Sequence, residues 1–213
     1  MTDDLGDETG DATQATELLR RWRDSTQAMF SGEPPEHPVL RALAASVGAC
    51  NLEQQPFLDL IEANLQDQRV SQYPDWQALL GYCQRSAAPV GRMVLSLFGL
   101  QDPRAMALSD DVCVGLQLAN FTQDLSVDAE KGRCYLPQET IASLGTVGAT
   151  RDLVERARRM LSSGRALESM VRGRLRLQLA LYRCGGEAIL DAVAACGYDT
   201  QRSRPAVRGA ARM

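Results

Sequence analysis

Four polar side chains, Gln117, Asn120, Asp124 and Asp128, recur at helical intervals within an otherwise apolar stretch of a 213-residue chain. Residues three and four apart are neighbours on a helix surface, so the two carboxylates sit one turn apart and can hold a divalent cation between them. Lys131 and Arg133 follow at the expected helix exit. Cation-holding carboxylates beside bases read as a site for a magnesium-bound diphosphate, because metal and bases together neutralise a polyanion. On spacing alone, an Asp pair at this interval is more often a solvated helix face. The neighbours Val112, Val114, Leu116, Leu118, Phe121 and Leu125 favour a buried helix instead. A polar stripe there must face partners or a wet cavity, since unpaired buried polar groups are costly.

Two further blocks carry chemistry. Near the start, Asp3 with Asp7 and Asp4 with Glu8 form two more carboxylate pairs at the same interval. Alone they read as a solvated acidic tail; facing the downstream pair, they would complete a clamp for several magnesium ions. The block Tyr82 to Met93 combines Tyr82, one turn before Ser86, with small residues at 86 to 88 and 91. It reads as a helix-packing segment, or as one presenting a tyrosine to a diphosphate oxygen or, through its ring, to a cation.

The elements that must position these groups are helical. Apolar periodicity predicts helices over 12 to 30, 38 to 50 and 56 to 68, the last with Phe57, Leu60, Ile61 and Leu65 inward. Tyr73-Pro74-Asp75 opens another that runs through Tyr82 and kinks at Pro89. The helix bearing the stripe covers about 109 to 128. A short helix is expected over 139 to 144, a long one over 150 to 184 ending at Gly185-Gly186, and a last one over 187 to 196 stopped by Gly197. No useful period-2 alternation occurs, so the fold class is all-α.

Composition sets the limits. At 45% apolar residues the chain fills one core, expected as a helical domain over 1 to 200 followed by a basic, disordered tail over 201 to 213. A net charge of −4 without basic-aromatic alternation argues against nucleic acid. Nothing reads as a signal peptide or membrane span, which places the protein in the cytoplasm, with contact to an anionic membrane surface a minority reading of the arginine-bearing tail. Six scattered cysteines read as reduced, mostly buried small residues. The only histidine, His37, lies in an expected loop, so chemistry must run on carboxylates, Arg, Lys, Tyr and metal.

Together these blocks resemble the squalene and phytoene synthases, the head-to-head isoprenyl diphosphate synthases. Asp3-Asp4-x-x-Asp7-Glu8 is similar to the family's first Asp-rich motif, and Gln117-x-x-Asn120-x-x-x-Asp124-x-x-x-Asp128 to its second. Tyr82-Cys83 through Val90-Gly91 resembles the central helix, and Lys131-Gly132-Arg133-x-Tyr135-Leu136-Pro137 continues the match. Leu175-Arg176, Gly185-Gly186, Ile189-Leu190, Gly197-Tyr198-Asp199 and Arg204-Pro205 resemble the C-terminal pattern.

The resemblance implies an isoprenoid-synthase helical bundle around a central cavity. Magnesium would sit on Asp3, Asp4, Asp7, Glu8, Asp124 and Asp128, and the diphosphate on Gln117, Lys131, Arg133 and Tyr135. Tyr82, Asn120, Asp124 and Asp128 are the implied catalytic residues. Ser86-Ala87-x-Pro89-Val90-Gly91-Arg92 and Leu97-Phe98-Gly99 look most like the hopanoid-pathway members that turn presqualene diphosphate into hydroxysqualene, with water capturing the final cation and no NADPH. Condensation of two farnesyl diphosphates to presqualene diphosphate or squalene, or phytoene-type synthesis, is the neighbouring alternative. Other hopanoid-pathway enzymes and the inner membrane surface are the implied partners. The family's first Asp-rich motif follows an N-terminal helical segment, which this sequence is expected to lack; a truncated, inactive helical partner protein is the competing reading.

Overall fold

In a computed structural model of the chain, residues 11–207 are described, and all ten elements among them are α-helices. Among the described residues one isolated bridge pairs Gln72 with Cys134. Within the helical domain expected over 1 to 200, the chain groups into two compact units, one comprising residues up to Val70 with Arg85–Met106, the other Ser71–Gln84 with residues from Ala107 on.

The first unit begins with α1 (Ala12–Phe30), where the Asp11 carboxylate accepts from the Thr13 amide at 2.8 Å. This side-chain cap satisfies one of the donors that a helix start leaves open. Leu19 of α1 packs with Ile61 and Leu65 of α3 (Gln55–Asp67), and Trp22 closes the cluster. Phe57 and Leu60, expected inward on α3, are only part-buried. His37, expected in a loop, caps α2 (Pro38–Cys50): its Nδ1 accepts from the Val39 amide at 3.2 Å. Its ring also meets Trp22 edge-on at 5.0 Å. α3 packs in turn against α5 (Ala88–Leu97).

The expected kink at Pro89 is a full break two residues earlier, at Ala87. α4 (Trp76–Ser86) ends, Ala87 leaves helical geometry, and Pro89 occupies the first turn of α5, where a missing N–H costs nothing. Pro74-Asp75 precedes α4, with the Asp75 carboxylate accepting from the Ala78 amide at 2.8 Å.

The second unit contains most of α6 (Pro103–Gln123), then α7 (Leu125–Glu130), α8 (Gln138–Ser162), α9 (Gly164–Met170) and α10 (Gly173–Ala195). α8, α9 and α10 pack on one another. Gly145, at φ 69°, kinks α8 near the boundary expected between the two sequence-predicted helices. The long helix expected over 150 to 184 is instead interrupted at Ser163 and again at Val171-Arg172. Gly185-Gly186 does not end a helix: α10 runs straight through it. Gly186 is there for close approach, because a Cβ would lie 2.7 Å from Leu116 Cδ2 and 3.0 Å from Leu161 Cδ1. α10 does stop before Gly197, which takes φ 69°.

All six cysteines are free thiols. Only Cys83 is buried, which pushes its thiol up to about 12, while Cys184 and Cys196 are exposed, against the expectation of burial. Among the described residues no helix is long and apolar enough to cross a membrane.

Candidate functional site

The stripe-bearing helix is buried as its apolar neighbours demand: Val112, Val114, Leu118 and Phe121 are each no more than 5% exposed. Gln117 is half-buried and Asn120 is exposed, so the polar face is the open one. The helix does not run unbroken to residue 128. Asp124 departs from helical geometry at φ −101°, ψ 16°, and α7 restarts after it.

The cause of the break lies in the hydrogen bonding of Thr122. Its carbonyl accepts the Thr200 hydroxyl at 2.7 Å, and its own hydroxyl donates to the Ala119 carbonyl at 2.9 Å. A side chain thus captures a carbonyl that would ordinarily serve the helix ladder, and hydroxyl bonding of this kind bends helices. Around the break the spacing survives: the Asp124 amide donates to Asn120 at 2.9 Å and the Asp128 amide to Asp124 at 2.8 Å. The two carboxylates therefore remain one turn apart.

Both carry an oxygen that is inaccessible to solvent and has no hydrogen-bond partner, Asp124 Oδ1 and Asp128 Oδ2. Arg204 Nε lies 2.5 Å from Asp124 Oδ1, close enough for charge pairing but without hydrogen-bond geometry, and Arg204 Nη2 donates to Oδ2 at 3.2 Å. Burial and, next, the Asp124 charge push the Asp128 carboxyl up to about 6, with Lys131 and Arg133 pulling it partly back. Two carboxylate oxygens without hydrogen bonds one turn apart, that of Asp128 short of positive charge, are a donor set that a hard divalent cation fits. Among the described residues no group of three or more metal-type side chains forms. Asp3, Asp4, Asp7 and Glu8, the other expected ligands, lie outside the described residues.

The bases are brought back toward Asp128 by the backbone. The Arg133 amide donates to the Asp128 carbonyl at 2.8 Å and the Gly132 amide to Ala129 at 3.0 Å, with Gly132 at φ 71°. This paired pattern closes a helix with a left-handed residue, which glycine adopts without a Cβ clash. It turns Lys131 and Arg133 back over the end of α7. Beyond it, the chain is pinned to the segment before α4: the Cys134 amide donates to Ser71 at 2.7 Å and the Gln138 amide to Tyr73 at 2.9 Å.

The sequence sets Tyr82 either in helix packing or at a diphosphate, and Tyr135 at the diphosphate. Both are nearly buried, at 4% and 6% exposure, in a four-ring cluster with Tyr73 and Phe121. The Tyr135 ring lies parallel to Phe121 at 3.8 Å, and Tyr82 stacks 5.9 Å from Tyr135. Flat rings at these distances add packing to area burial, and the cluster ties the basic turn to α6. The Tyr82 and Tyr135 rings thus pack in this cluster.

Residues from the expected tail also enter the site. Besides Thr200 and Arg204, the Pro205 carbonyl accepts from Gln123 Nε2 at 2.8 Å. Residues 201–207 are therefore placed, with Arg204 and Pro205 held on the Asp-rich segment, rather than forming part of a disordered tail; 208–213 lie outside the described residues.

An all-helical chain with a paired-carboxylate stripe that runs into a basic turn defines an isoprenoid-synthase-type fold. The solved squalene synthase HpnC from Alicyclobacillus acidocaldarius matches it with a TM-score of 0.87 at 41% identity, over 92% of this chain and 79% of that one. A dehydrosqualene synthase structure shares the fold, with a TM-score of 0.78 at 22% identity, over 93% and 74% of the two chains. The presqualene diphosphate synthase of Sinorhizobium fredii is 34% identical over 149 residues, 68% of this chain and 52% of that protein. The hydroxysqualene synthase of the same organism is 29% identical over 197 residues, 85% of this chain and 66% of that protein. The pattern of the squalene/phytoene synthase family matches residues 1–211, and the chain belongs to that family. The match spans about half the length of the presqualene diphosphate synthases, 52%, 52% and 50%.

Proposed function

We propose that the protein converts presqualene diphosphate to hydroxysqualene. The observation that carries the reading is the pair of carboxylates one turn apart, each with a buried oxygen lacking a hydrogen bond, running into the Lys131-Gly132-Arg133 turn. Magnesium, when bound by Asp124 and Asp128, supplies the charge that stabilises the departing diphosphate. Asp3, Asp4, Asp7 and Glu8 are proposed as further magnesium ligands. Lys131 and Arg133 would hold the diphosphate oxygens as the carbon–oxygen bond breaks with its electron pair leaving on the phosphate. Asn120 and Gln117, on the open face, would orient the water whose oxygen bonds to the final carbocation and then loses a proton. No electrons are transferred, so no NADPH is consumed.

The preference for this step rests on the 85% of the chain matched by a hydroxysqualene synthase. The second reading, condensation of two farnesyl diphosphates, is favoured by 34% identity to a presqualene diphosphate synthase. Either substrate is an apolar chain with an anionic head, so contact with a membrane surface and with neighbouring pathway enzymes belongs to the same proposal.

Product analysis tests it. Presqualene diphosphate with magnesium and no NADPH should yield hydroxysqualene and pyrophosphate, and Asp124→Ala should abolish this while circular dichroism stays helical. Presqualene diphosphate accumulating from farnesyl diphosphate, with no hydroxysqualene, would establish the second reading. A folded chain that turns over neither would identify a non-catalytic partner protein.

A further inference from the structure

The segment Thr200–Pro205 makes three side-chain contacts with three consecutive residues of the Asp-rich segment, and they differ in kind. Thr200 and Thr122, both fully buried, share a 2.7 Å hydrogen bond, and Gln123, 7% exposed, holds the Pro205 carbonyl. These two are anchors. Arg204 is different: its side chain is 57% exposed while that of Asp124 is 25% exposed, and its contact is one of charge. A guanidinium in this position can swing into water while the backbone beside it stays fixed, because exposed ion pairs contribute little and hydrate readily.

The charge of Arg204 occupies the place a cation would take. With Nε 2.5 Å from Asp124 Oδ1, a divalent ion coordinating that oxygen would stand next to a full positive charge. Two cations that close repel, so each weakens the binding of the other. Asp128 Oδ2, one turn on, has no hydrogen-bond partner, and the Asp124 charge adds to its unfavourable environment. Arg204 thus neutralises one carboxylate and leaves the other short of charge.

We propose that Arg204 is the internal counter-ion of the cation site, neutralising Asp124 in the cation-free protein and displaced when a divalent cation bridges Asp124 and Asp128. The proposal rests on the reading of those two carboxylates as cation ligands. It makes the C-terminal segment responsive to occupancy of the site: the anchors at Thr200 and Pro205 hold, and the guanidinium between them changes partner.

Titration of the full chain with Mn2+ alone, by calorimetry or electron paramagnetic resonance, tests it without substrate. Removing the competing charge in Arg204→Gln should tighten Mn2+ binding by about threefold to fivefold at low salt, the range of an exposed ion pair. Arg204→Lys, which keeps the charge, should stay close to the parent protein. In the unsubstituted chain, the Arg204 Nε–H resonance should move on adding diamagnetic Mg2+, a readout independent of whether the variants fold. If the parent chain binds no Mn2+, both the cation-site reading and the exchange fail. If binding is lost in Asp128→Asn but unchanged or weakened in Arg204→Gln, and the Nε–H resonance does not move, the cation site stands and the exchange alone is overturned.

Discussion

Replacing Asp128 by Asn should stabilise the cation-free protein while abolishing its response to magnesium. Burial, first, and the Asp124 charge, second, push this carboxyl from 3.8 to about 6, so the folded chain holds the Asp128 proton more tightly than the unfolded chain does. Below pH 3.8 both states are protonated and the group contributes nothing. As pH rises from 3.8 to 6 the unfolded chain ionises first, stability falls, and above 6 the full cost persists. A gap of this size corresponds to about 3 kcal/mol. The carboxylate is only half-buried, and solvent screening reduces the figure to about 1–2 kcal/mol. For a chain of this length that amounts to about 2–6 °C in melting temperature.

Asn keeps the shape and removes the charge. Calorimetric melting at pH 8 in a chelator should therefore place Asp128→Asn above the parent chain, and the difference should vanish near pH 4. In magnesium the order should reverse. At about 100 times its dissociation constant the ion would stabilise the parent chain by about 2.7 kcal/mol and leave the variant nearly unmoved. A variant that melts lower than the parent in chelator at pH 8 would refute the claim that this carboxylate is held at a cost. A variant that keeps the full magnesium shift would refute its role as a ligand.

Two further substitutions probe the frame behind the site. Arg183, 7% exposed, bonds Glu168 at 2.6 Å and both oxygens of Glu187 at 3.0 Å, and these bonds, Glu168 foremost, raise its already high pKa. Arg183→Ala strands Glu168 at the α9–α10 contact and should cost about 3 kcal/mol in denaturant unfolding; an unchanged midpoint would show that the pair carries no net stability. Gly115 lets α8 approach α6, since a Cβ would lie 3.1 Å from the Leu161 nitrogen and 3.2 Å from the Ala157 oxygen. Backbone atoms cannot rotate aside, so Gly115→Ala should lose about 1–2 kcal/mol despite its better helix propensity, and a gain in stability would refute this.

Local pattern carried much of the fold. α1, α2 and α3 fall close to where periodic apolar residues and flanking prolines place them, because each helix buries one face and its ends are marked within a few residues. The errors share a physical origin. Gly185-Gly186 reads as a helix stop when only neighbours in sequence are considered, yet Gly186 is set by Leu116 and Leu161, which need the space its side chain would fill. The break at Asp124 is invisible locally because Thr200, 78 positions away, captures the Thr122 carbonyl. Arg204 reads as one of several arginines in a basic tail and, with Pro205, as part of a C-terminal family pattern, and only the fold sets it on Asp124. The one-turn spacing of Asp124 and Asp128 and the basic turn after them were legible because they lie in adjacent turns of one segment. Tyr82 and Tyr135 stand out in the sequence, but their joint stacking with Tyr73 and Phe121 does not, because aromatic residues suit a packed cluster as well as a cavity wall.

The break and the basic turn are best understood as one device. An unbroken helix would carry Asp124 and Asp128 in the same regular geometry but could not divert a backbone carbonyl to another part of the chain. Leaving helical geometry at Asp124 gives the Thr122 carbonyl to Thr200, which anchors the segment bearing Arg204 beside the first carboxylate. One turn later, the left-handed Gly132 sends the Arg133 amide back to the Asp128 carbonyl, which anchors the bases beside the second. Each carboxylate is thus flanked by positive charge delivered through a backbone carbonyl rather than through a long side-chain reach. The arrangement offsets part of the cost of two desolvated acids and leaves Asp128 short of charge, the condition on which the proposed cation site depends.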